Sequence, residues 1–231
     1  MSADDYKKAA ALAAIGEVRP GMTLGLGTGS TAAHFIAALG EKACEGFGLR
    51  AVPTSEDTAR KAAAVGIEII EPDETTIIDL AVDGADEADG AKRLIKGGGG
   101  ALLREKIVAA AARRFVVIAD ASKRVAELGA FPLPVEIDCF SYALTVRAVR
   151  ETLASLGYAK PDIRLRAGPE GLSFLSDGGH YILDCRLGRI GAPEDLDKAL
   201  KAVPGVIETG LFIGLADEVI LAGPDGVQRI A

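Results

Sequence analysis

Short apolar runs alternate with alanine-rich segments along the first 128 residues of the chain. The apolar runs are nearly continuous, as in strands that are buried on both faces of a parallel sheet. The alanine-rich segments have the composition that favours helices. This alternation predicts an α/β fold in which helices cover a mainly parallel, Rossmann-like sheet. The predicted strands lie at 22–26, 49–53, 67–70, 76–82, 93–96 and 115–119, and the predicted helices at 4–18, 30–39, 55–66 and 101–114.

Polar residues indicate where several of the helices begin. Asp4 is the predicted N-cap of the first helix, because an aspartate side chain can accept hydrogen bonds from the free N–H groups of the first turn. Thr54 and Asp57 have the spacing of a capping box before the third helix. Proline suits the first turn of a helix, so Pro193 marks the start of a helix over 192–205.

A second pattern begins near residue 129, where proline and glycine punctuate shorter apolar runs. Strand-like runs at 129–138, 162–168, 172–176 and 180–187 accompany helices at 141–157 and 192–205. This order predicts a small α+β, ferredoxin-like domain at 129–205. We expect the apolar runs of the tail to rejoin the first sheet, so that 1–128 and 206–231 together form the larger α/β domain.

The overall charge limits what the chain can bind through its general electrostatic field. Among 231 residues, 49% are hydrophobic and 26% are charged, which suits a globular protein with an apolar core. The net charge of -7 argues against nucleic acids and anionic membranes as partners. An anionic ligand must therefore be held by a local cluster of donors.

The cysteines and the N-terminal residues indicate the compartment. Cys44, Cys139 and Cys185 are scattered, as is typical of free thiols in a reducing compartment. The opening MSADDYKKAA is acidic and polar, unlike a signal peptide. No apolar run has the length of a transmembrane helix. These features predict a soluble, cytoplasmic protein.

The turn GLGTGST, residues 25–31, is predicted to join the first strand to the second helix. Unpaired N–H groups at a helix N-terminus attract phosphate, and glycines allow the backbone to approach it closely. Thr28, Ser30 and Thr31 add hydroxyl donors. We therefore expect a phosphate site, although a Ser30 that only caps the helix would explain the same pattern.

Known nucleotide-binding motifs fit this turn poorly. A Walker loop requires a lysine that is absent here. A dinucleotide fingerprint requires glycine where Ser30 stands, and an acidic residue after the next strand, where the chain has Pro-Thr-Ser at 53–55. The glycine spacing also fits methyltransferases that use S-adenosylmethionine, but the acidic residue usual in those enzymes is missing from the preceding strand.

Two further polar turns follow predicted strands. The segment VDGADEADG, residues 82–90, carries four acidic side chains, but its glycine spacing does not fit a calcium loop. The segment LIKGGGGALLREK, residues 94–106, places Lys96 before four consecutive glycines and Glu105 on the next helix. A run of glycines costs backbone entropy when it is ordered. Either segment alone is equally compatible with a solvated surface.

The three turns are expected to share one cleft, because the carboxyl ends of parallel strands meet at one edge of a sheet. They bring together a phosphate site, carboxylates, one lysine and one helical glutamate. The only histidines, His34 and His180, have no ligand partner at the spacing of a metal site. Carboxylates and a lysine alone suit proton transfer beside the carbonyl of a phosphorylated small molecule, as in aldose–ketose isomerisation.

Five motifs occur in an order and at a spacing that are typical of one enzyme family. They are GLGTGSTAAHFI, VDGADE, IKGGGGALLREKI, ADASK and FPLPVEI, and the closing GLF…ADEVILAGPDGV extends the likeness over essentially the whole chain. With these motifs the sequence resembles ribose-5-phosphate isomerases of the A type. The resemblance implies interconversion of D-ribose 5-phosphate and D-ribulose 5-phosphate through an enediolate, in the pentose phosphate pathway. It also implies a homodimer or homotetramer that uses no metal and no organic cofactor.

The same resemblance assigns roles to individual residues. It makes Glu105 the general base, gives Asp83 a part in opening the sugar ring, and lets Lys96 stabilise the enediolate. The implied substrate-binding residues are Thr28, Gly29, Ser30, Thr31, Asp83, Gly84, Ala85, Asp86, Lys96, Gly97, Gly98, Gly99 and Lys123.

Two other functions remain compatible with parts of the pattern. A sugar-phosphate sensor without catalytic activity could share the fold, but such modules usually accompany a DNA-binding unit, for which this chain has neither the length nor the basic patch. A methyltransferase would need the missing acidic residue. Isomerase activity on ribose 5-phosphate distinguishes all three.

Overall fold

Fourteen strands and six helices form the regular structure of residues 1–168 and 171–231, the part of the chain that the computed structural model describes. The helices are α1 (Ala3–Ile15), α2 (Ser30–Cys44), α3 (Glu56–Ala64), α4 (Leu102–Ala111), α5 (Tyr142–Ser155) and α6 (Pro193–Lys201). The strands are β1 (Thr23–Leu26), β2 (Arg50–Pro53), β3 (Glu68–Ile69), β4 (Leu80–Asp83), β5 (Glu87–Ala88), β6 (Leu94–Ile95), β7 (Phe115–Asp120), β8 (Leu133–Ile137), β9 (Asp162–Leu165), β10 (Tyr181–Arg186), β11 (Val206–Thr209), β12 (Leu211–Phe212), β13 (Glu218–Gly223) and β14 (Gly226–Ile230).

The largest sheet has seven strands in the order β3-β2-β1-β4-β7-β13-β14. Six of them are parallel, and the edge strand β14 runs antiparallel to β13. The chain builds outward from β1 to β3 and then returns to place β4 on the other side of β1. Such a reversal opens a crevice at the carboxyl ends of the two central strands, where open α/β sheets bind ligands. The predicted mainly parallel, helix-covered sheet is confirmed.

Apolar side chains cover both faces of this sheet. On one face α1 and α2 pack over Leu24, Leu26 and other buried residues of the central strands. On the other face α4 packs through Val108. A Cβ atom at Gly25 would lie 2.4 Å from Val108 Cγ1, so this glycine lets α4 approach β1 closely. Val108 lies one turn after Glu105, and the contact therefore fixes Glu105 near the carboxyl end of the sheet.

A smaller unit has the order β8-α5-β9-β10-α6-β11. Its four strands pair antiparallel in the order β11-β8-β10-β9, as in the ferredoxin-like split motif. The predicted start of α6 at Pro193 is confirmed. The tail behaves differently from the expectation in one respect, because β11 completes this smaller sheet, whereas β13 and β14 join the large one. The division of the chain into two domains stays a prediction, with β11 paired to the smaller unit.

A third sheet consists of three very short strands in the order β12-β6-β5. The strand predicted at 93–96 belongs here as β6, and not to the large sheet. The backbone N–H of Lys96 donates to the Gly210 carbonyl at 2.9 Å. This sheet therefore fixes the backbone from which the Lys96 side chain extends.

The helix caps differ from the predicted ones by one or two residues. The hydroxyl of Ser2 accepts from Asp5 N at 3.2 Å, and the Asp5 carboxylate accepts from Ser2 N at 2.7 Å, so Ser2 caps α1 in a capping box. The predicted cap Asp4 instead contacts His34. Ser55 caps α3 by accepting from Thr58 N at 3.1 Å. Ser2 lies two residues before the predicted cap Asp4, and Ser55 lies one residue after the predicted cap Thr54.

Residues 172–176 do not form the predicted strand. A single isolated bridge joins Ala167 and Ser173. Leu172 and Leu175 are exposed, while a Cβ atom at Gly100 would lie 2.4 Å from the Phe174 ring. Phe174, the apolar residue at the centre of this segment, therefore packs against the glycine run and does not belong to a sheet.

Candidate active site

The three polar turns meet at the carboxyl edge of the large sheet, around a cavity of about 190 Å³. They come from the end of β1, the end of β4, and the segment between β6 and α4. With the exception of Asp83, every residue that was predicted to act on the substrate lines this cavity, and Lys7 joins them. The lining residues are Lys7, Thr28, Gly29, Ser30, Thr31, Gly84, Ala85, Asp86, Lys96, Gly97, Gly98, Gly99, Glu105 and Lys123.

The N-terminus of α2 forms one end of the cavity. Gly29 is the N-cap residue with a φ of 113°, and no side chain caps the helix. The alternative that Ser30 acts only as a cap is therefore wrong. The first-turn N–H groups carry the positive end of the helix dipole. The ammonium groups of Lys7 and Lys123 line the same cavity. Lys7 Nζ donates to Ser30 Oγ at 3.0 Å, and Lys123 is the last residue of the 3-10 turn that follows β7.

The hydroxyl group of Thr28 is engaged in a cluster of four hydroxyl groups. Thr28 Oγ1 lies 2.7 Å from Thr54 Oγ1, 2.9 Å from Ser55 Oγ and 3.2 Å from Thr58 Oγ1. The backbone N–H of Thr28 donates to Asp83 Oδ1 at 3.1 Å. Thr28 therefore shapes the turn and ties it to α3 and β4, while Ser30 and Thr31 carry the hydroxyl groups next to the cavity.

Lys96 lines the cavity and forms a buried ion pair with Asp83, which lies behind it. Their exposed fractions are 2% and 3%, and Lys96 Nζ lies 2.9 Å from Asp83 Oδ2. Lys96 also donates to the Gly84 carbonyl at 2.6 Å, and Asp83 Oδ1 accepts from Gly84 N at 2.7 Å. A Cβ atom at Gly27 would lie 1.9 Å from Asp83 Oδ1, so only glycine leaves room for this carboxylate.

Glu105 is the second carboxylate beside Lys96. Its exposed fraction is 4%, and its Oε2 atom lies 3.4 Å from Lys96 Nζ. Among the described residues, no group is in hydrogen-bond geometry with this oxygen, so the contact with Lys96 is an ion pair without an aligned hydrogen bond. A buried, unpartnered oxygen beside a cavity is free to accept a proton from a ligand.

The electrostatics of this cluster set its protonation. Burial and the nearby Asp83 carboxylate raise the pKa of Glu105 to about 8, although Lys96 opposes this shift. Burial would lower the pKa of Lys96, but Asp83 and Glu105 outweigh it and hold that pKa above its ordinary value. Lys96 is therefore a cation at neutral pH. Glu105 exchanges its proton near neutral pH, as suits a general acid and base.

The glycine run forms a tight turn over the cavity. Gly97 has a φ of 101° and Gly100 a φ of 85°, which favour glycine, and Gly100 N donates to the Gly97 carbonyl at 3.0 Å. Gly98 N donates to Asp86 Oδ2 at 2.7 Å, and a Cβ atom at Gly98 would lie 2.6 Å from Asp86 Oδ1. The run thus lets the backbone pass close to the Asp86 carboxylate at the edge of the cavity.

Sequence reasoning missed Lys7 and the hydroxyl cluster of Thr54, Ser55 and Thr58. Lys7 lies on α1, far along the chain from the three turns, and nothing in its helix separates it from the exposed Lys8. The hydroxyl cluster had a signal, since the sequence PTSEDT follows a buried strand, but it was interpreted only as a helix cap.

Other candidate chemistry has no support in the geometry. Within residues 1–168 and 171–231, no group of three or more histidine, cysteine, aspartate or glutamate side chains is arranged to hold a metal ion. The three cysteines are free. In the same ranges, no helix combines the length and the apolar character that crossing a bilayer requires.

The family model of ribose 5-phosphate isomerase A (phosphoriboisomerase A) matches residues 50–226. Over 230 residues the chain is 54% identical to the ribose-5-phosphate isomerase A of Rhodopseudomonas palustris (strain BisB18), covering 100% of this chain and 99% of the relative. It is 56% identical over 230 residues to the ribose-5-phosphate isomerase A of Methylorubrum populi, covering 100% and 97% of the two chains.

Solved structures agree in architecture with the whole chain. A D-ribose-5-phosphate isomerase in complex with phospho-erythronic acid superposes with a TM-score of 0.91 at 38% identity, covering 99% of each chain. The ribose 5-phosphate isomerase A of Methanocaldococcus jannaschii gives a TM-score of 0.90 at 37% identity, again covering 99% of each chain. The likeness therefore spans both the large sheet and the smaller unit.

Proposed function

This chain belongs to the ribose 5-phosphate isomerase A family, and on this premise we propose a role for each residue around the cavity. The reaction is the interconversion of D-ribose 5-phosphate and D-ribulose 5-phosphate, which belongs to the pentose phosphate pathway. It moves one proton between two neighbouring carbons of the open-chain sugar. The observation that carries the assignment is the Glu105 carboxylate, buried beside the cavity with one unpartnered oxygen and 3.4 Å from the Lys96 ammonium.

The phosphate group binds at the N-terminus of α2. The N–H groups and hydroxyls of Ser30 and Thr31 face it, and the ammonium groups of Lys7 and Lys123 neutralise its charge. These local donors must supply the attraction for phosphate, because the chain as a whole carries a net charge of -7. The complex of a related isomerase with phospho-erythronic acid also supports a site for a phosphorylated sugar.

Glu105 transfers the proton. In its ionised form it removes the proton from C2 of ribose 5-phosphate, and the electron pair moves toward the C1 carbonyl to give an enediolate. Within the enediolate the O2 hydroxyl proton passes to O1. The O2 electron pair then forms the C2 carbonyl while the protonated Glu105 returns its proton to C1. A pKa of about 8 suits a group that must accept and release a proton at neutral pH.

Lys96 stabilises the enediolate oxygen, because its ammonium is fixed by Asp83 and the Gly84 carbonyl and is charged before the substrate arrives. Asp86 lines the cavity and is placed to hold sugar hydroxyl groups. Asp83 stays a predicted participant in ring opening, acting from behind Lys96. Backbone groups of Gly84, Ala85 and 97–99 complete the contacts with the sugar.

A coupled assay with the purified protein tests the function. Ribose 5-phosphate should be converted to ribulose 5-phosphate, and ribose without phosphate should react at least ~100-fold less efficiently, because the phosphate contacts supply much of the binding energy. The same preparation with the Glu105→Gln substitution is the control for contaminating isomerase. No turnover by the wild-type protein, or equal turnover by both proteins, would contradict the assignment.

We also propose that the protein acts in the cytoplasm as a homodimer or homotetramer. The free thiols of Cys44, Cys139 and Cys185 fit a reducing compartment. The exposed apolar side chains of Phe140 and Leu144 on the smaller unit fit a surface that is covered by another copy. Light scattering of the purified protein measures the assembly, and a monomeric mass at micromolar concentration would refute it.

A further inference from the structure

One arginine of the smaller unit makes hydrogen bonds to the glycine run. Arg166 lies directly after β9, and its Nη1 atom donates to the Gly97 carbonyl at 2.8 Å and contacts the Gly98 carbonyl at 3.3 Å. These carbonyls belong to the turn that carries Lys96 at one end and leads to Glu105 at the other. The sequence alone assigns no role to Arg166, which follows Arg164 by two residues.

Arg166 is itself held firmly. Its Nε and Nη2 atoms donate to the two oxygens of Asp184 on β10, at 3.0 Å and 2.5 Å, which is the bidentate geometry that a guanidinium favours. The Phe174 ring lies 5.8 Å from the guanidinium carbon, and the same ring packs against Gly100. The side chain of Arg166 is only 13% exposed. The group is therefore a fixed donor and not a mobile surface charge.

The hydrogen bonds from Arg166 determine which way the peptide groups of the glycine run point. In a trans peptide the C=O of one residue and the N–H of the next point in opposite directions. Arg166 holds the Gly97 carbonyl on one side, and Gly98 N donates to Asp86 on the other side, at 2.7 Å. The peptide between Gly97 and Gly98 is therefore held at both ends. The Gly98 carbonyl is also turned toward Arg166, so the N–H of Gly99 is directed to the opposite side, where Gly99 lines the cavity.

We propose that Arg166, anchored by Asp184, is a positioning residue that fixes the Gly97–Gly98 peptide group and thereby directs the N–H of Gly99 toward the bound sugar. Glycine peptides have little intrinsic preference for one orientation, so an external donor is needed to select it. The inference rests on the proposed isomerase function, and it makes the smaller unit a part of the active site. Arg166 touches neither the substrate nor the reacting atoms.

Arg166→Met tests the proposal, because methionine keeps much of the apolar side chain and removes the guanidinium donors. The matched control is Arg164→Met on β9, since Arg164 is 68% exposed and pairs with its neighbour Asp162. We expect Arg166→Met to lower kcat by about 10- to 100-fold, as a misplaced active-site group does, with KM changed less than about threefold. Arg166→Lys should not restore kcat, since one ammonium cannot bridge Asp184 and two carbonyls. Arg164→Met should match the wild type.

Hydrogen–deuterium exchange of the segment 94–101 provides a measurement that does not depend on activity. Arg166→Met should raise the exchange of this segment, while Arg164→Met should not. Asp184→Asn weakens the anchor of Arg166 at nearly constant volume, so it should also lower kcat and raise the exchange of this segment. It serves in place of Arg166→Met if Arg166→Met does not fold. Wild-type kcat and exchange in these variants, or a change in melting temperature alone, would overturn the proposal. An inactive wild-type protein would instead refute the isomerase function.

Discussion

Replacing Glu105 by glutamine should stabilise the folded protein at alkaline pH. Burial and the neighbouring Asp83 raise the pKa of Glu105 from 4.5 to about 8 in the folded state. Between these two pH values the folded protein keeps a proton that the unfolded chain releases, so the stability of the wild type falls as the pH rises through this window. Glutamine has nearly the same shape and no proton to lose, so the variant escapes this loss.

The size of the effect follows from the pKa shift. One pKa unit corresponds to about 1.4 kcal/mol, so a shift from 4.5 to about 8 sets an upper bound of roughly 5 kcal/mol. Relaxation and water entry reduce the cost of a buried charge, and we therefore expect a gain in the free energy of unfolding of about 2–3 kcal/mol at alkaline pH. For a chain of this size that gain corresponds to an increase in melting temperature of roughly 4–12 °C.

Thermal and urea unfolding at about pH 5.5 and about pH 8.5 measure this difference. Glu105→Gln should be close to the wild type at the lower pH and more stable at the higher pH. Glu151→Gln, on the exposed side of α5, is the matched control and should show no such pH-dependent gain. If the advantage of Glu105→Gln over the wild type does not grow with pH, Glu105 does not carry a raised pKa in the folded protein.

Activity should respond to pH, to chelators and to mutation of Lys123 in distinct ways. The value of kcat/KM should fall below about pH 8, because the base form of Glu105 is lost there; a constant value between about pH 6 and about pH 9 would be inconsistent with this role. Prolonged dialysis against EDTA should leave kcat unchanged, since the described part of the chain offers no cluster of three metal-ligating side chains; loss of activity that a divalent ion restores would refute a cofactor-free reaction. Lys123→Ala should mainly raise KM, because phosphate contacts are alike in the ground and transition states; an unchanged KM with a much lower kcat would place Lys123 in the chemistry.

The large sheet could be predicted from the sequence because its central strands are buried on both faces. The runs that became β1, β2, β4 and β7 are apolar at nearly every position, and this pattern needs no partner to be recognised. The strand β6 is predicted at 93–96, but its pairing with β5 and β12 is set by distant parts of the chain, and the two-residue strand β5 gives no such signal. The pairing of β11 was missed for the same reason, since an apolar run does not say which sheet it joins.

The cavity could be predicted because its main parts are three continuous segments at the ends of parallel strands. Residues outside these segments could not be found in this way. Lys7 reaches the cavity from α1, and Arg166 reaches the glycine run from the smaller unit, so both depend on how distant elements pack. The orientation of the Thr28 hydroxyl depends on Thr54 and Ser55, which lie on another turn.

The role of Glu105 as the proton-transferring base is tested most directly by exchange of the C2 hydrogen of ribose 5-phosphate in deuterated water. The wild-type protein and the Glu151→Gln control should incorporate solvent deuterium at C2. Glu105→Gln should bind ribose 5-phosphate with nearly unchanged affinity, and its exchange should be about 10²- to 10⁴-fold slower, as is typical for loss of a general base. Exchange by Glu105→Gln at the wild-type rate would show that another group moves the proton, and Asp83 would then be the candidate.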